Sequence, residues 1–426
     1  MKTMKLSIIT PISLILLLSI ASLSQVKSQT LTLEQCQELA LENYPLINQL
    51  ELIQLSSDYS IENAGKGNLP QLSVSGQATY QSDVTGLPID IPNVVIQPLA
   101  KDQYKVYGEI SQSLTDGPMI KNQKALIQAN SETQAKQLEV QLYQVKERIN
   151  QLFFGMMLID QQVLQTDLLK KDIQTGIKKT SAAVENGTAL RSAVDVLKAE
   201  LLRVDQKSIE LQYTRNGYAE MLSLFIGQPI SSQTTLIRPA PKPMVQEINR
   251  PELAFYQSQK QSLVIQNQLI SNRSIPKINL FVQGGYGRPG LNFLSNDFEL
   301  FYLGGVRLNW NISSFYTSRR ERELLDLSST SIDLLQETFL LNTTITLSQK
   351  QQDINKYIRL MQTDQEIVML RESVKNSASA QLEYGTLTSN DYLTYVNAAD
   401  QANQDLILHK VQLLMAQYSY QLTSGN

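Results

Sequence analysis

Side chains that commonly perform catalysis or bind metals are scarce in this chain. It contains one histidine, His409, and one cysteine, Cys36, among 426 residues. A histidine can act as a general base and a thiolate as a nucleophile or zinc ligand, but a catalytic triad or a zinc site needs several such groups together. His409 lies among apolar residues of a predicted helix, where a packed or solvated histidine is the usual finding. We therefore expect no enzyme, no metal site and no cofactor.

Three closely spaced glycines, Gly284, Gly285 and Gly287, suggest a second kind of chemistry, the binding of phosphate. Loops that cradle phosphate run from a strand through the glycines into the start of a helix. These glycines follow a predicted strand but lead into a loop, so the phosphate-binding interpretation fails. Cys36 cannot form an internal disulfide, because it is the only thiol. We expect it to be a small residue on one face of a helix.

The first 28 residues are typical of a secretory signal peptide. A short basic start precedes an apolar run over residues 6–23, and small residues follow, with cleavage expected after Ser24 or Ser28. A retained anchor helix is the alternative. The whole chain has 37 basic and 40 acidic residues. The signal peptide contains three lysines and no acidic residue, which leaves 34 basic and 40 acidic residues and a net charge of −6. This balance does not favour a nucleic-acid partner.

The chain repeats itself. The first-half residues Asn43, Pro45, Pro70 and Tyr80 recur 206 positions later as Asn249, Pro251, Pro276 and Tyr286. Further along, Gly187-Thr188 returns as Gly385-Thr386, and each pair precedes an Asp-X-Leu sequence. An ordered set of matches across both halves predicts a structural duplication. We therefore divide the mature chain into a first repeat (29–228), a Pro-rich linker (229–249) and a second repeat (250–426).

Each repeat is predicted to contain a helix, a β-hairpin and a long helical hairpin. Alternating apolar residues and turn residues place the β-hairpins at 70–115 and 275–312, with strands of about ten residues, a length that crosses a bilayer when tilted. The helical hairpins are predicted at 118–226 and 316–422. Four strands in one chain leave unpaired edges that lipid cannot satisfy, so other copies must supply strands. Three copies would supply twelve.

The long helices are predicted from apolar residues that recur every three or four positions. In the first helical hairpin the outgoing helix has Leu138, Leu142, Val145, Ile149, Leu152, Met156, Ile159 and Val163, and the returning helix has Val194, Leu197, Leu201, Val204, Leu211, Tyr218, Leu222 and Phe225. Ser208 and Arg215 occupy two intervening positions of the second series, so packing there should be imperfect. At 1.5 Å per residue the outgoing helix is about 95 Å long. The heptads of the second hairpin are poorer.

These features resemble the TolC-type outer-membrane efflux proteins over essentially the whole mature chain. The motifs are Leu31-Thr32-Leu33-Glu34, Asn43-Tyr44-Pro45, Arg250-Pro251-Glu252-Leu253, the Leu69-Pro70 and Ile275-Pro276 junctions and the two glycine turns. The resemblance implies a mainly α fold with a small membrane β-barrel portion, assembled as a homotrimeric α/β-barrel duct. It also implies a location in the cell outer membrane, with the helical part in the periplasm.

The resemblance further implies a passive duct of a tripartite efflux pump or a type I secretion system. Its partners would be a periplasmic adaptor (membrane fusion protein), an inner-membrane RND or ABC transporter and outer-membrane lipid. The alternative is a periplasmic coiled-coil adaptor or tether without a membrane barrel. The sequence does not indicate the exported substrate or the class of transporter.

The same resemblance assigns candidate site residues to the turns of the helical hairpins. Gly187-Thr188 and Gly385-Thr386 would contact the adaptor, or would simply be turn residues. Asp391 would line the pore constriction, or would be an acid favoured at a helix N-terminus. Leu387 and Thr394 depart from the family, in which an arginine and a second aspartate occupy these positions. The way in which the aperture is locked is therefore left open.

Overall fold

A computed structural model describes residues 30–85 and 98–426. The predicted signal peptide (1–28) and residues 86–97 of the first predicted hairpin loop lie outside the described residues. The described helices are α1 (Leu33–Asn43), α2 (Gln49–Gly65), α3 (Gly117–Glu185), α4 (Arg191–Ile226), α5 (Pro251–Asn272), α6 (Ser314–Glu383) and α7 (Ser389–Ser424). The described strands are β1 (Thr30–Leu31), β2 (Gln71–Tyr80), β3 (Asp102–Ser113), β4 (Thr235–Leu236), β5 (Lys277–Arg288) and β6 (Glu299–Asn309).

This order confirms the expected fold class, mainly α with a small β portion. The series α2, β2, β3, α3, α4 in the first half is followed by α5, β5, β6, α6, α7 in the second. The helices begin where the sequence supplies the usual signals: Thr32 and Gln35 form a reciprocal capping box before α1, and Pro251 occupies the first turn of α5. Within residues 30–85 and 98–426, no helix combines the length and the apolar character needed to cross a membrane.

The described chain divides into two compact units, which we call the helical unit and the sheet unit. The helical unit contains the described residues up to Tyr44, together with Val145–Val245 and Ser348–Leu422. The sheet unit contains Pro45–Gln144, Gln246–Leu347 and Thr423–Asn426. Each unit therefore combines segments from both halves of the sequence.

The sheet unit contains one four-stranded antiparallel sheet in the order β2-β3-β5-β6. Side chains alternate between its two faces, and paired residues lie on the same face. Val74 lies beside Gly108, Gly108 beside Gly284, and Gly284 beside Tyr302. In the described chain, β2 and β6 each pair on one side only. The sheet therefore has two open edges.

One face of this sheet is apolar and exposed. Its large side chains are Leu72, Val74, Tyr80, Tyr104, Val106, Ile110, Leu280, Val282, Tyr286, Leu300, Tyr302, Val306 and Leu308. Val74 is 78% exposed and Tyr302 84% exposed. The opposite face is largely polar, and there the Glu109 carboxylate accepts hydrogen bonds from Gln283 and from Arg307, the latter at 3.2 Å. We call these the apolar face and the polar face.

The helical unit has the reverse arrangement, with its apolar side chains inside. A first core cluster joins α1, α3, α4 and α7 and includes Phe153, Phe154 and Leu222. A second cluster joins α3, α4, α6 and α7 and includes Ile173, Leu197 and Tyr392. Most of the predicted heptad residues of α3 and α4 are buried. Cys36 is also fully buried in the first cluster, and this burial raises the pKa of its thiol to about 11.

Two features of the helical unit differ from the sequence interpretation. The predicted linker contains β4, which pairs in parallel with β1. Arg215, which interrupts the heptad series, is bonded rather than misplaced: its guanidinium donates to the Asp160 carboxylate at 2.5 Å and to the Thr234 carbonyl at 3.1 Å. Arg215 therefore holds the predicted linker against α3 and α4.

The glycines considered for phosphate binding also differ from expectation. Gly284, Gly285 and Gly287 do not follow a strand but lie within β5. A Cβ atom at Gly285 would stand 2.5 Å from Tyr107 Cβ and 2.7 Å from the Phe301 ring. A glycine is therefore needed here because two aromatic side chains of the neighbouring strands pack over the backbone.

Candidate functional site

The α3–α4 turn is closed by a glycine in the left-handed region. Gly187 has φ +74°, and a side chain there would meet no atom within 4 Å. The Gly187 amide donates to the Val184 carbonyl, and both the amide and the hydroxyl of Thr188 donate to the Ala183 carbonyl at 2.9 Å. This is the glycine-terminated helix end that satisfies the last free carbonyls.

The α6–α7 turn has the same geometry. Gly385 has φ +70° and open space around it, and the Thr386 amide and hydroxyl donate to the Gln381 carbonyl at 2.9 and 3.1 Å. The two Gly-Thr pairs are therefore equivalent in structure as well as in sequence. Their threonine hydroxyls already donate within the turn, so each hydroxyl retains only its acceptor capacity for a partner.

A groove of about 400 Å³ lies between the two turns. Its lining includes Thr188 and Thr386 together with apolar and small side chains of both turns. Leu190, immediately after the first turn, is 77% exposed.

Asp391 lies in the first turn of α7, with its side chain exposed. The Thr388 hydroxyl donates to its carboxylate at 2.6 Å, and the Asp391 amide donates to the Thr388 hydroxyl at 3.1 Å. This reciprocal pair caps the helix start. Leu387 packs against the second core cluster, and exposed Thr394 bonds back to the Asn390 carbonyl. The assignment of Asp391 to a pore constriction stays a prediction.

Polar contacts join α3 to α6 and α7 further along the same helices. Lys375 pairs with Asp172 at 2.9 Å and with Glu372 at 2.7 Å. The Tyr392 hydroxyl donates to the Asp172 carbonyl at 3.0 Å. Burial alone would lower the pKa of Lys375, but its bonds to Glu372 and Asp172 outweigh burial and raise it. Asp172 and Lys375 are far apart in sequence, and no spacing motif signals their contact.

The single histidine lies in a structural contact. His409 Nδ1 is 2.6 Å from an Asp364 carboxylate oxygen, and both side chains are mostly buried between α6 and α7. The Tyr357 ring lies beside the imidazole, with centroids 6.1 Å apart. Among the residues that the structure describes, no cluster of three or more potential metal ligands occurs.

A four-stranded sheet combined with two long helical hairpins defines the class of fold to which outer-membrane channels belong. The chain is similar in structure to the Campylobacter jejuni CmeC outer membrane channel, with a TM-score of 0.63, 10% identity, and coverage of 92% of this chain and 85% of that one. The open state of the Neisseria gonorrhoeae MtrE outer membrane channel matches with a TM-score of 0.63 and 12% identity, over 95% of this chain and 94% of that one.

A third solved structure, the outer membrane protein VceC from Vibrio cholerae, matches with a TM-score of 0.57 and 12% identity, over 92% of this chain and 94% of that one. No protein-family model matches the sequence, and neither does any curated protein. At such low identity the likeness establishes the fold. It confirms the fold implied by the resemblance to the TolC-type proteins.

Proposed function

We propose that this chain is a TolC-type outer-membrane channel subunit, a passive conduit without catalysis, located in the cell outer membrane with its helical hairpins in the periplasm. The fold supports the proposal, because the solved structures that share it include outer-membrane channels. The observation on which it depends most is the exposed apolar face of the four-stranded sheet.

That face matches the needs of a lipid-exposed sheet. A contiguous patch of large apolar side chains is unfavourable in water and is rare on soluble monomers. Its strands have 10 to 12 residues, a length that crosses the hydrocarbon layer when tilted. The polar face, with Glu109, Gln283 and Arg307, would line an aqueous lumen, as alternation along the strands requires.

The open edges of the sheet call for more than one copy of the chain. In lipid the free backbone groups of β2 and β6 have no water to bond, so each edge must pair with another strand. The β2 edge of one copy can pair with the β6 edge of the next. Three copies close a twelve-stranded β-barrel, which is the homotrimer that the resemblance implies.

A second surface supports self-association. Helix α6 presents an exposed heptad series, Leu324, Leu327, Leu334, Leu341 and Ile345. In the sequence these heptads are poorer than those of α3, because Ser331 and Thr338 interrupt the series. Apolar residues at heptad spacing pack against a neighbouring helix. In the proposed trimer that neighbour belongs to the next copy.

A channel of this type would need protein partners in the periplasm and the inner membrane. The groove between the two Gly-Thr turns, with exposed Leu190, would receive a periplasmic adaptor, which links the duct to an inner-membrane RND or ABC transporter. The open space at Gly187 and Gly385 supports this contact, because a Cβ atom at either glycine would meet no atom of the described chain within 4 Å beyond its neighbours in sequence. The duct would serve a tripartite efflux pump or a type I secretion system.

Three copies of Asp391 would form an acidic ring at the narrow end of the duct and favour cations. Asp391→Asn should therefore lower cation selectivity and raise the open probability of single channels in planar bilayers. Asp195→Asn, at the corresponding place in the first repeat, is the control and should leave both quantities unchanged. Unaltered selectivity and gating in Asp391→Asn would assign Asp391 to helix capping alone.

Membrane fractionation tests the proposed function as a whole. The protein should appear in the outer-membrane fraction and migrate in gels as a trimer that dissociates on heating. A protein found in the soluble or inner-membrane fraction would contradict the proposal and favour the periplasmic tether.

A further inference from the structure

The two ends of the four-stranded sheet differ in charge. We call the end next to the starts of α3 and α6 the helix end, and the end next to the hairpin loops the loop end. At the helix end, the described residues include eight basic and four acidic side chains: Lys66, Lys121, Lys124, Arg273, Lys277, Arg319, Arg320, Arg322, and Glu62, Asp116, Glu321, Glu323. At the loop end they include three basic and four acidic side chains: Lys101, Lys105, Arg288, and Asp83, Asp102, Asp297, Glu299.

The excess positive charge is concentrated in the first turns of α6. Arg319 and Arg320 share the single carboxylate of Glu323, at 3.1 and 2.8 Å, and their side chains are 88% and 84% exposed. Arg322 donates to the uncharged Ser271 hydroxyl at 3.1 Å. Three guanidinium groups therefore have one carboxylate among them, which leaves a net positive, solvent-accessible surface.

An apolar border joins this basic surface to the apolar face. Trp310, Ile312, Phe315 and Tyr316 connect the end of β6 to the start of α6, and all four are at least half exposed. The Trp310 indole donates to the Ser274 carbonyl at 3.0 Å, which holds the ring in place. Tryptophan and tyrosine are enriched where the hydrocarbon layer meets the headgroups of a bilayer.

A cavity of about 430 Å³ opens beside this border. Its walls contain Arg273 and Lys277 together with hydroxyl groups of Ser313, Ser314 and Thr317. Arg273 and Lys277 are each balanced by one acid, Glu321 at 3.0 Å and Asp116 at 3.2 Å. The three hydroxyl groups already donate within the chain, to Asn311 and Glu321, so the cavity offers room next to the arginines of α6.

We infer that the helix end of the sheet binds the headgroups of anionic phospholipids, with Arg319, Arg320 and Arg322 contacting their phosphates. The inference rests on the proposed membrane location of the sheet and adds a lipid preference to it. Basic clusters directly beside a membrane segment attract anionic lipid, and guanidinium groups bind phosphate through paired hydrogen bonds. The acidic loop end would not share this preference.

Trp310 provides a built-in probe, because it is the only tryptophan of the chain. The full-length trimer is reconstituted in bilayers of equal phosphatidylglycerol and phosphatidylcholine, with one of the two lipids brominated so that it quenches a neighbouring indole. Brominated phosphatidylglycerol should quench Trp310 at least threefold more than brominated phosphatidylcholine. One basic residue near an anionic surface attracts lipid by about fivefold. The ratio should fall at high salt.

Variants at α6 assign the preference to its arginines. The triple change Arg319→Gln, Arg320→Gln, Arg322→Gln should bring the quenching ratio close to one, whereas the corresponding change of all three to Lys should preserve it. The control, Lys178→Gln, Arg191→Gln, Lys198→Gln, removes the same charge from exposed positions near the helical turns and should leave the ratio unchanged.

The outcomes separate this inference from the proposed function. Equal quenching by the two lipids, or a ratio that survives in the glutamine triple variant, would overturn the lipid inference and leave the channel proposal intact. An absence of quenching by both lipids would place Trp310 outside the bilayer interface. That result would contradict the membrane location of the sheet as well as the inference.

Discussion

The four-stranded sheet and the helical unit use the same apolar residue types in opposite ways. In the helical unit, Leu197 and Leu222 are fully buried, whereas Val74 and Tyr302 of the sheet are about four-fifths exposed. The sheet keeps charged Glu109 and Arg307 on its other face. Helices that pack in water bury their apolar side chains, and exposed apolar side chains on the sheet are what its proposed location in lipid requires.

A region of a single chain can be regularly folded although its apolar side chains are exposed to its surroundings. The apolar face of the sheet has no protein partner in the described chain, yet its register and alternation are regular. In the proposed location, lipid on one side and further strands at the edges would supply its stability. The helical unit, by contrast, has two apolar core clusters of its own.

A charge on the apolar face should have the largest effect. Val74→Arg places a guanidinium near the middle of β2, where the cost in a bilayer is about 2–4 kcal/mol per copy. We expect most of the heat-sensitive trimer to disappear from the outer-membrane fraction. Ser75→Arg, one residue along and on the polar face, is the matched control and should assemble. Equal loss in both variants would mean that the two faces do not have different surroundings.

A core truncation in the helical unit should have the next largest effect. Leu222→Ala removes a fully buried side chain and should cost about 2–5 kcal/mol, measured as a fall of several degrees in Tm. Leu224→Ala, two residues along the same helix, alters a side chain that is 74% exposed and should shift Tm by about 1 °C or less. Similar losses in both variants would show that Leu224 is packed as well.

A partly buried acid should produce the smallest effect, and this effect should be larger at neutral than at acidic pH. Burial raises the pKa of Asp400 above its ordinary value, although bonds from Gln165 and Gln404 partly oppose this. The native state therefore binds this proton more tightly than the unfolded state, so stability is lost as pH rises above about 4. Asp400→Asn should raise Tm by roughly 1 °C at pH 7 and by less at pH 3.5. A gain that is independent of pH would contradict the assignment.

The regular parts of the molecule could be predicted from the sequence because each has a local signal. Heptad spacing predicts α3 and α4, alternation predicts the strands, and Gly187 and Gly385 predict the turns. Contacts between distant residues have no such signal. Arg215 meets Asp160 and Thr234, and Lys375 meets Asp172, only after the helices pack. Strands β1 and β4 have two residues each, too few for a pattern to be recognised.

Cross-linking between sheet edges tests the central claim, that other copies complete the sheet, most directly. In a Cys36→Ser background, which has no other thiol, one cysteine replaces Ser75 on β2 and a second replaces Leu303, Gly305 or Arg307 on β6 in turn. Strands β3 and β5 separate these edges within one chain by about 14 Å, too far for a disulfide. We predict a ladder of covalent dimers and trimers that ends at the trimer. A ladder that ends at the dimer, extends beyond the trimer, or fails to form at any of the three positions would contradict a ring of three copies.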